Sequence, residues 1–326
     1  MKVRHEGSLA WAVLLALGAC SPSREAADMT TSSPTAARES SPSPTVRDGA
    51  YFLDLRTGKE TPLPITRAGA SDSAVRFDDG HYYAVSLDGS RIYWEDTCCS
   101  AADVAAVASS DGSNGRRLDP TGPVNYYAGG WSPDSTKIVY QRRDGSGDEF
   151  GDLVVEDMVS ERKTRIDLGL GSPESGWWYL APTFSPDGRN VIFQLPRGPD
   201  GMTKWDLWWV PVTGGEPTLL VRNAAQAVTS DGPIWAFVRP KSDFFNGSRL
   251  LIATPDGFRT LVEATDVFDG IFEPKMSPDG SKIAYQDGGS IYVVDVSTGE
   301  PREVAPDGRM AAWRDDDTLI VAPENP

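Results

Sequence analysis

Three segments of the chain are nearly superimposable: WSPDSTKIVYQ at 131–141, FSPDGRNVIFQ at 184–194 and MSPDGSKIAYQ at 276–286. Each has an apolar residue, then Ser-Pro-Asp, a turn, and a strand-like run. Pro presets φ, Asp bonds back to its own backbone, and Gly accepts a positive φ, so Ser-Pro-Asp-Gly is turn chemistry. The residues that follow alternate or run apolar, as in a β-strand. Each segment is therefore predicted to form a β-hairpin.

Weaker copies of this motif fill the gaps between the strong ones. They read SLDGSRIYW at 86–94, TSDGPIWAFV at 229–238 and WRDDDTLIVA at 313–322. The spacings are 46, 53, 44, 48 and 37 when six positions are taken as equivalent anchors: Ser86, Ser132, Ser185, Thr229, Ser277 and Arg314. A period near 45 residues is typical of four strands per propeller blade.

The second half of each unit also repeats, as an apolar strand, a polar turn and a short outer strand. Copies begin at Asp152, Asp206 and Ile291, and a further copy, AYFLDLRTGKETPLP, begins at Ala50 with no hairpin before it. Conversely, the hairpin near Trp313 has no outer pair after it. These halves would complete one blade and leave no exposed sheet edges. The sequence thus predicts an all-β, six-bladed β-propeller over 50–326, with the N-terminal strands closing the last blade.

The repeated Ser-Pro-Asp-Gly hairpin resembles the TolB-like, PD40 (WD40-like) propeller repeat family. The resemblance covers nearly all of residues 50–326 and implies the propeller fold. It is much less specific for function, so it does not transfer any partner to this chain.

The N-terminus is predicted to be a cleaved targeting signal over residues 1–19. Lys2 and Arg4 supply positive charge, and residues 9–17 form an apolar run that is shorter than the roughly 20 residues of a transmembrane helix. The run ends Leu17-Gly18-Ala19-Cys20, which resembles the bacterial lipobox. That resemblance implies cleavage before Cys20 and its lipidation, with an ordinary signal peptide as the alternative. The protein is therefore expected to be anchored in the cell membrane, facing outside the cytoplasm.

Residues 20–49 are predicted to be a disordered tether that begins with the lipidated Cys20. Ser, Thr, Pro and Ala dominate the segment and aromatic residues are absent, so it cannot bury enough apolar area to offset its ordering entropy. The whole chain carries a formal net charge of −16. This acidic surface argues against nucleic acid as a partner.

Cys98 and Cys99 are adjacent and fall in a predicted loop between the second and third strands of a blade. Outside the cytoplasm these thiols are expected to oxidise. A vicinal disulfide, free thiols and an intermolecular bridge are the three possibilities that the sequence leaves open.

Catalysis is not expected, because a Ser-His-Asp triad would have to use His81 and no nucleophile-elbow motif is present. No metal or other cofactor is expected either. The acidic run at Asp144, Asp148, Glu149 and Asp152 could supply oxygen ligands for Ca²⁺. Turn formation is the preferred interpretation, because Asp206 occupies the same repeat position as Asp152.

Binding is expected at the mouth of the central channel, in the segments that lead into the inner strands. Aromatic residues recur there and offer a large contact area at low entropy cost. The predicted binding residues are His81, Tyr82, Tyr126, Tyr127, Trp177, Trp178 and Phe272. Packing between blades is the competing interpretation for these residues, and it is preferred for Trp205, Trp208 and Trp209.

The sequence therefore favours a membrane-anchored binding or scaffold propeller that engages a protein or peptide of the cell envelope. The alternatives are a solute or glycan receptor and a hydrolase or lyase of unrecognised type.

Overall fold

The computed structural model describes residues 50–63, 67–68, 75–76, 82–96, 104–118, 125–143, 152–168, 180–197, 204–241, 247–254, 256–264, 270–306 and 308–323. All of them lie in one compact unit, Val46–Pro326. The described residues form strands and turns. None of them belongs to a helix that is long and apolar enough to cross a membrane.

The first strands along the chain are β1 (Tyr51–Asp54), β2 (Glu60–Pro62), β3 (Arg67–Ala68) and β4 (Val75–Arg76). The first blade has the order β5 (Tyr82–Val85), β6 (Arg91–Asp96), β7 (Val104–Ser109) and β8 (Arg116–Arg117). The second blade has β9 (Asn125–Trp131), β10 (Lys137–Arg143), β11 (Asp152–Asp157) and β12 (Lys163–Ile166).

The third blade has β13 (Thr183–Phe184), β14 (Asn190–Pro196), β15 (Trp205–Pro211) and β16 (Thr218–Val221). The fourth has β17 (Ala225–Thr229), β18 (Trp235–Pro240), β19 (Ser248–Thr254) and β20 (Gly257–Glu263). The fifth has β21 (Phe272–Met276), β22 (Lys282–Asp287), β23 (Ser290–Asp295) and β24 (Pro301–Ala305).

The sixth blade is shared between the two ends of the propeller, as predicted. It has the order β25 (Gly308–Asp315), β26 (Thr318–Pro323), β1 and β2. Strand β1 pairs antiparallel with β26, and Tyr51 lies opposite Val321. The ring is therefore closed by backbone hydrogen bonds. A short pair, β3 with β4, lies between β2 and the first blade in sequence and was not predicted.

The core consists of six apolar clusters, and each cluster joins two neighbouring blades. On β10, for example, Ile138 and Tyr140 pack toward the first blade, whereas Val139 packs toward the third. Strand alternation sends successive side chains to opposite faces of the sheet, so each blade has two apolar faces. We call these interfaces the seams. Full burial of one valine or isoleucine side chain stabilises the fold by about 1.5–3 kcal/mol.

The Ser-Pro-Asp turns use one hydrogen-bond pattern in the first, second, third and fifth blades. In the third blade, the Ser185 hydroxyl donates to the Asp187 carboxylate at 2.6 Å and accepts from the Asn190 amide at 3.0 Å. The same two bonds are made by Ser86, Ser132 and Ser277. The serine is buried and the aspartate exposed, which explains why both residue types recur.

The fourth blade requires a correction of the sequence register. Its anchor is Ser230 rather than Thr229, because Thr229 pairs with Trp235 as Trp131 pairs with Ile138. Its turn is one residue shorter than those of the first, second, third and fifth blades. Ser230 there donates to the Ile234 carbonyl and accepts from the Gly232 amide. The missing residue made the alignment ambiguous in the sequence.

Candidate functional site

The central channel is the main cavity that the described residues form around the inner strands β5, β9, β13, β17, β21 and β25. It has a volume of about 120 Å³. One water molecule needs roughly 10–15 Å³ of such space. The channel therefore has room for a small polar group or a side chain of a ligand.

Each inner strand gives one side chain to a ring around this channel. The position lies directly before the buried residue that leads into the turn, such as Trp131, Phe184 or Met276. We call this set the channel ring; its members are Ala84, Gly130, Thr183, Val228, Lys275 and Ala312. Ala84 and Ala312 also belong to seam clusters, and Val228 packs against a third, so these positions border the channel and the seams at once. Five of the six side chains are small, and the remaining one is a lysine.

Glu273 lies on the same inner strand as Lys275, and both line the channel and are partly buried. Burial lowers the pKa of the Lys275 ammonium, whereas the carboxylates of Glu273 and Glu95 raise it. Glu95 is 3% exposed and accepts a hydrogen bond from the Tyr93 hydroxyl. The net effect lowers the pKa of Lys275, which shares this wall with the carboxyl group of Glu273.

Three consecutive blades have a positive φ at a residue other than glycine. In each of them this residue lines the channel two positions before the member of the channel ring. These residues are Ala181 (φ 42°), Gln226 (φ 50°) and Glu273 (φ 47°). This conformation is costly for a residue with a side chain, and such strain clusters at functional sites. In β17 and β21 it coincides with a shift of strand register next to the channel.

Glutamine side chains hold these strained segments across the seams. The backbone N–H of Gln226 donates to the side-chain oxygen of Gln194 at 2.9 Å. The Glu273 N–H in turn donates to the Gln226 side-chain oxygen at 3.0 Å. A third bond runs from the Leu180 N–H to the Gln141 side chain at 2.9 Å. Buried side-chain amides therefore fix the backbone around half of the channel.

Tryptophans fix the other end of the inner strands. The Trp131 indole N–H donates to the Ala84 carbonyl at 2.8 Å, and the Trp313 indole N–H donates to the Lys275 carbonyl at 2.8 Å. Each bond joins neighbouring blades and ends on a residue of the channel ring. The ring is therefore held in place by its neighbours, which favours a preorganised site.

The structure describes few of the side chains that were predicted to bind a ligand. Tyr82, Tyr126 and Tyr127 lie on inner strands, where the sequence placed them, but their side chains lie outside the described residues. Phe272 begins β21 and is partly buried. The other predicted positions lie outside the described residues altogether: Cys20, His81, Cys98, Cys99, Trp177 and Trp178.

Two of the three tryptophans of β15 pack in the seams, as expected. Trp208 packs against the cluster between the second and third blades, and Trp209 packs against the cluster between the third and fourth. Trp205 begins the strand and is partly buried. These residues stabilise the blade and do not line the channel.

The two equivalent acidic residues Asp152 and Asp206 make structural contacts. Asp152 forms an ion pair with Arg165. The Asp206 carboxylate accepts a hydrogen bond from the backbone N–H of Asn223 at 2.7 Å. It also lies within 4 Å of Arg197 and Arg222. The other members of the predicted acidic run, at 144, 148 and 149, lie outside the described residues. Among the residues that are described, no group of three or more His, Cys, Asp or Glu could hold a metal ion.

The sequence reasoning missed Glu273 and Lys275. The available signal was the column one residue before the apolar residue of each motif, which contains Ala, Gly, Thr, Val, Lys and Ala. A lysine stands out in that column once the fourth repeat is aligned on Ser230.

A scan against protein-family models finds no match to this chain, and a search of curated proteins finds none either. Solved structures do match. The crystal structure of TolB from Acinetobacter baumannii is 16% identical over 72% of this chain and 64% of that one, with a TM-score of 0.53. The chain therefore spans less than two thirds of TolB's length.

Two further matches are protease propellers. The tricorn protease is 15% identical over 81% of this chain and 26% of its own length, with a TM-score of 0.52. The β-propeller domain of the Trilobed protease from Pyrococcus furiosus is 13% identical over 81% and 77% of the two chains, with a TM-score of 0.51. That domain has an open velcro topology, whereas β1 closes the ring here. Together these matches show a TolB-like, six-bladed propeller fold.

Proposed function

We propose that this protein is an extracytoplasmic binding module, anchored to a membrane through lipidated Cys20, whose channel holds a peptide segment of an envelope protein. The channel carries this proposal. Its wall combines room for a ligand, strained residues from three blades, and a partly buried charged pair on a strand fixed by its neighbours. The strained backbone and the partly buried charged groups cost stability, which is typical of functional sites.

A peptide ligand fits this site because it offers backbone polar groups and charges to a channel that carries the same mixture. Gln226, Thr183 and Thr229 add polar side chains to the wall, and Met276 and Trp313 add apolar ones. The aromatic residues predicted around the mouth, Trp177 and Trp178 among them, would enlarge the contact area for a protein partner. Specific protein interfaces bury about 800 Å² per partner.

Binding rather than catalysis is part of this proposal. It rests on the residue inventory, since the chain has one histidine, His81, beyond the signal segment. If purified protein shows hydrolysis or elimination on any substrate, the His81→Ala variant decides whether the activity depends on a histidine. Retention of turnover in that variant would argue against a Ser-His-Asp mechanism.

The partner is tested by crosslinking the lipidated protein in membranes and recovering it by affinity. We expect one envelope protein to be recovered with the wild type and lost with a Trp177→Ala/Trp178→Ala variant. Phe258→Ala is the matched control, because Phe258 is 48% exposed on β20, at the outer edge of the fourth blade. Recovery that is unchanged in the double variant would move the binding surface elsewhere.

The anchor is tested by a Cys20→Ser variant. Lipidated protein partitions into detergent, since each buried methylene of an acyl chain contributes about 0.8 kcal/mol. We expect the wild type to enter the detergent phase and the variant to stay in the aqueous phase. Equal partitioning of the two forms would contradict lipidation at this residue.

A solute receptor is the second candidate, and the channel volume favours it. A thermal-shift panel of sugars, amino acids and short peptides separates the two candidates. A stabilising small ligand together with no recovered protein partner would favour the receptor.

A further inference from the structure

The fourth blade breaks the repeat at one position, the residue just before the first buried leucine of the third strand. In the second and third blades this residue is Asp152 or Asp206, and both carboxylates pair with arginines. In the fourth blade it is Arg249, which precedes the buried Leu250. The charge that the other two blades place here is therefore reversed in the fourth.

Arg249 lies directly opposite Arg239 on the neighbouring strand, β18. Residues opposed in this way share one face of the sheet, and like charges there are destabilising. In the second blade the equivalent pair is Arg142 opposite Asp152. The fourth blade thus carries two guanidinium groups where the second carries a guanidinium and a carboxylate.

The residues that the structure describes supply no counterion to Arg239. Neither Arg239 nor Arg249 has a hydrogen bond or an ion pair with any of them, and the Nε atom of each is buried without a hydrogen-bond partner. Glu263 lies opposite Arg249 on β20, but its carboxylate is 2.9 Å from the Lys241 ammonium, which lowers the pKa of Glu263 more than Arg249 does. Burial and then the charge of Arg249 lower the pKa of Arg239.

Aromatic rings hold Arg239 in place without neutralising it. Its guanidinium carbon lies 5.3 Å from the centre of the Phe237 ring and 5.6 Å from the centre of the Phe258 ring. The faces of such rings attract a cation and leave its charge without a counterion. Both arginines are partly buried, and Phe258 beside Arg239 is 48% exposed, so the pair reaches the surface of the blade.

We propose that Arg239 and Arg249 together bind a phosphate group, at a second ligand site outside the channel. The phosphate takes the place of the carboxylate that the second and third blades provide. Guanidinium groups bind phosphate through two parallel hydrogen bonds. A phosphate monoester carries a charge of about −1.5 to −2 at neutral pH and offers three oxygens, so it can neutralise both arginines. A carboxylate carries a single charge.

This inference does not depend on the proposed function. The lining of the channel includes neither Arg239 nor Arg249. The site therefore stands whether or not the channel holds a peptide.

Calorimetry on the purified full-length protein tests the site, near neutral pH and in a buffer without phosphate. The probes are inorganic phosphate, glycerol phosphate and acetate. We expect both phosphates to bind with a Kd below about 10 mM, and acetate to bind about tenfold more weakly or worse, because it satisfies one guanidinium. Tighter binding of glycerol phosphate assigns the site to a phosphate ester, and equal or weaker binding assigns it to the free ion.

Two variants test the arginines one at a time. Arg239→Met and Arg249→Met each remove a guanidinium and keep most of the apolar stem. Each should weaken phosphate binding about tenfold or more, as expected for the loss of hydrogen bonds between charged groups. Arg302→Met is the matched control, because Arg302 is exposed on the outer strand of the fifth blade, and it should bind phosphate like the wild type.

Arg249→Asp restores the charge pattern of the second blade. Its carboxylate would lie opposite Arg239, as Asp152 lies opposite Arg142, and would occupy the place of the phosphate. We expect this variant to lose phosphate binding while its unfolding temperature without phosphate equals or exceeds that of the wild type, because a repulsive pair becomes attractive. Saturating phosphate should raise the unfolding temperature of the wild type and leave that of the variant unchanged.

Three results would overturn the proposal. Neither phosphate binds the wild type at about 10 mM, where even millimolar Kd values are measurable; or the two methionine variants bind phosphate as tightly as Arg302→Met; or acetate binds as tightly as phosphate. The recovery of an envelope protein by crosslinking is a separate measurement. The phosphate site and the binding function of the channel can therefore fail independently.

Discussion

The seams between the blades and the wall of the channel are built from the same strands but follow different rules. In the seams, equivalent positions hold similar residues. The second residue of the second strand, for example, is buried and is Ile92, Ile138, Val191 or Ile283. In the channel ring, the corresponding column runs from glycine to lysine. Repetition therefore marks what every blade needs in order to pack, and departure from it marks what one blade does for the whole molecule.

The carboxylates show the same contrast. Glu156 is fully buried in the seam between the first and second blades, where it accepts from Arg116 at 2.8 Å and from the Tyr140 hydroxyl at 3.1 Å. Glu273 is partly buried and faces the channel. Glu156 joins charged side chains of two blades across a seam, whereas Glu273 lies at the channel wall. Substitutions should separate them.

The largest effect is expected from Glu156→Ala. Removing one member of a buried charged network leaves the others without their partner, which costs about 3–5 kcal/mol. Urea unfolding measures the loss. Glu161→Ala is the control, because Glu161 approaches the same Arg116 from solvent at 3.8 Å and is 68% exposed. Its cost should be about 0.5 kcal/mol. Equal costs would show that the buried carboxylate adds nothing to the seam.

Gly280→Val should follow, at about 3 kcal/mol. Gly280 has a φ of +72°, and a Cβ there would lie 2.8 Å from the Ser230 hydroxyl oxygen in the turn of the neighbouring blade. A side chain would meet both backbone strain and overpacking. Gly58→Val separates the two, since Gly58 has a φ of +69° and nothing within 4 Å of a Cβ. If both variants lose the same stability, backbone strain alone accounts for the cost, and the contact with Ser230 adds nothing to it.

Ser185→Ala should cost about 1–2 kcal/mol, because it removes two hydrogen bonds from a buried turn. Ser297→Ala is the matched control: the Ser297 hydroxyl also donates to an aspartate two residues away, but it is exposed. Its cost should stay below about 0.5 kcal/mol. A loss as large at Ser297 would mean that burial does not distinguish the turns.

A fall in pH should lower the free energy of unfolding, because the aspartates of the turns become protonated. Desolvation raises the pKa of Asp134, but hydrogen bonds from Ser132 and Thr136 and the charge of Lys137 outweigh it and lower the pKa to about 2. A carboxyl group whose pKa is lower in the folded state stabilises the fold above its unfolded pKa, near 3.8. This stability is lost as the pH falls toward 2.

The pH effect is measured by urea unfolding at neutral pH and near pH 3 in the wild type and in Asp134→Asn. The wild type should lose more stability on acidification than the variant, since the variant has no carboxyl group to protonate at this turn. A pH dependence that is the same in both would contradict the assignment.

The smallest effect on stability is expected from Glu273→Gln. The change keeps the shape of the side chain and alters a group that faces the channel, so unfolding should shift by less than about 0.5 kcal/mol. A large loss of stability would place Glu273 with the seam carboxylates.

Much of the architecture was predictable because it repeats. The Ser-Pro-Asp turns, the alternating strands, the number of blades and the closing pair of β1 with β26 all follow from copies that align. The fourth turn was misplaced by one residue, because one residue is missing there and local pattern alone does not fix register. The predicted tryptophans of β15 lie in the seams, while those at 177 and 178 lie outside the described residues.

The sequence by itself determined the repeat, the predicted lipobox ending at Cys20, and the absence of a recognisable catalytic motif. Those properties depend on residues that are close together in the chain. Tertiary structure alone decided which six residues surround the channel, because they lie up to 228 positions apart, from Ala84 to Ala312. Local sequence reports what one strand prefers. Only the closed ring places Lys275 among the small residues of the other five inner strands.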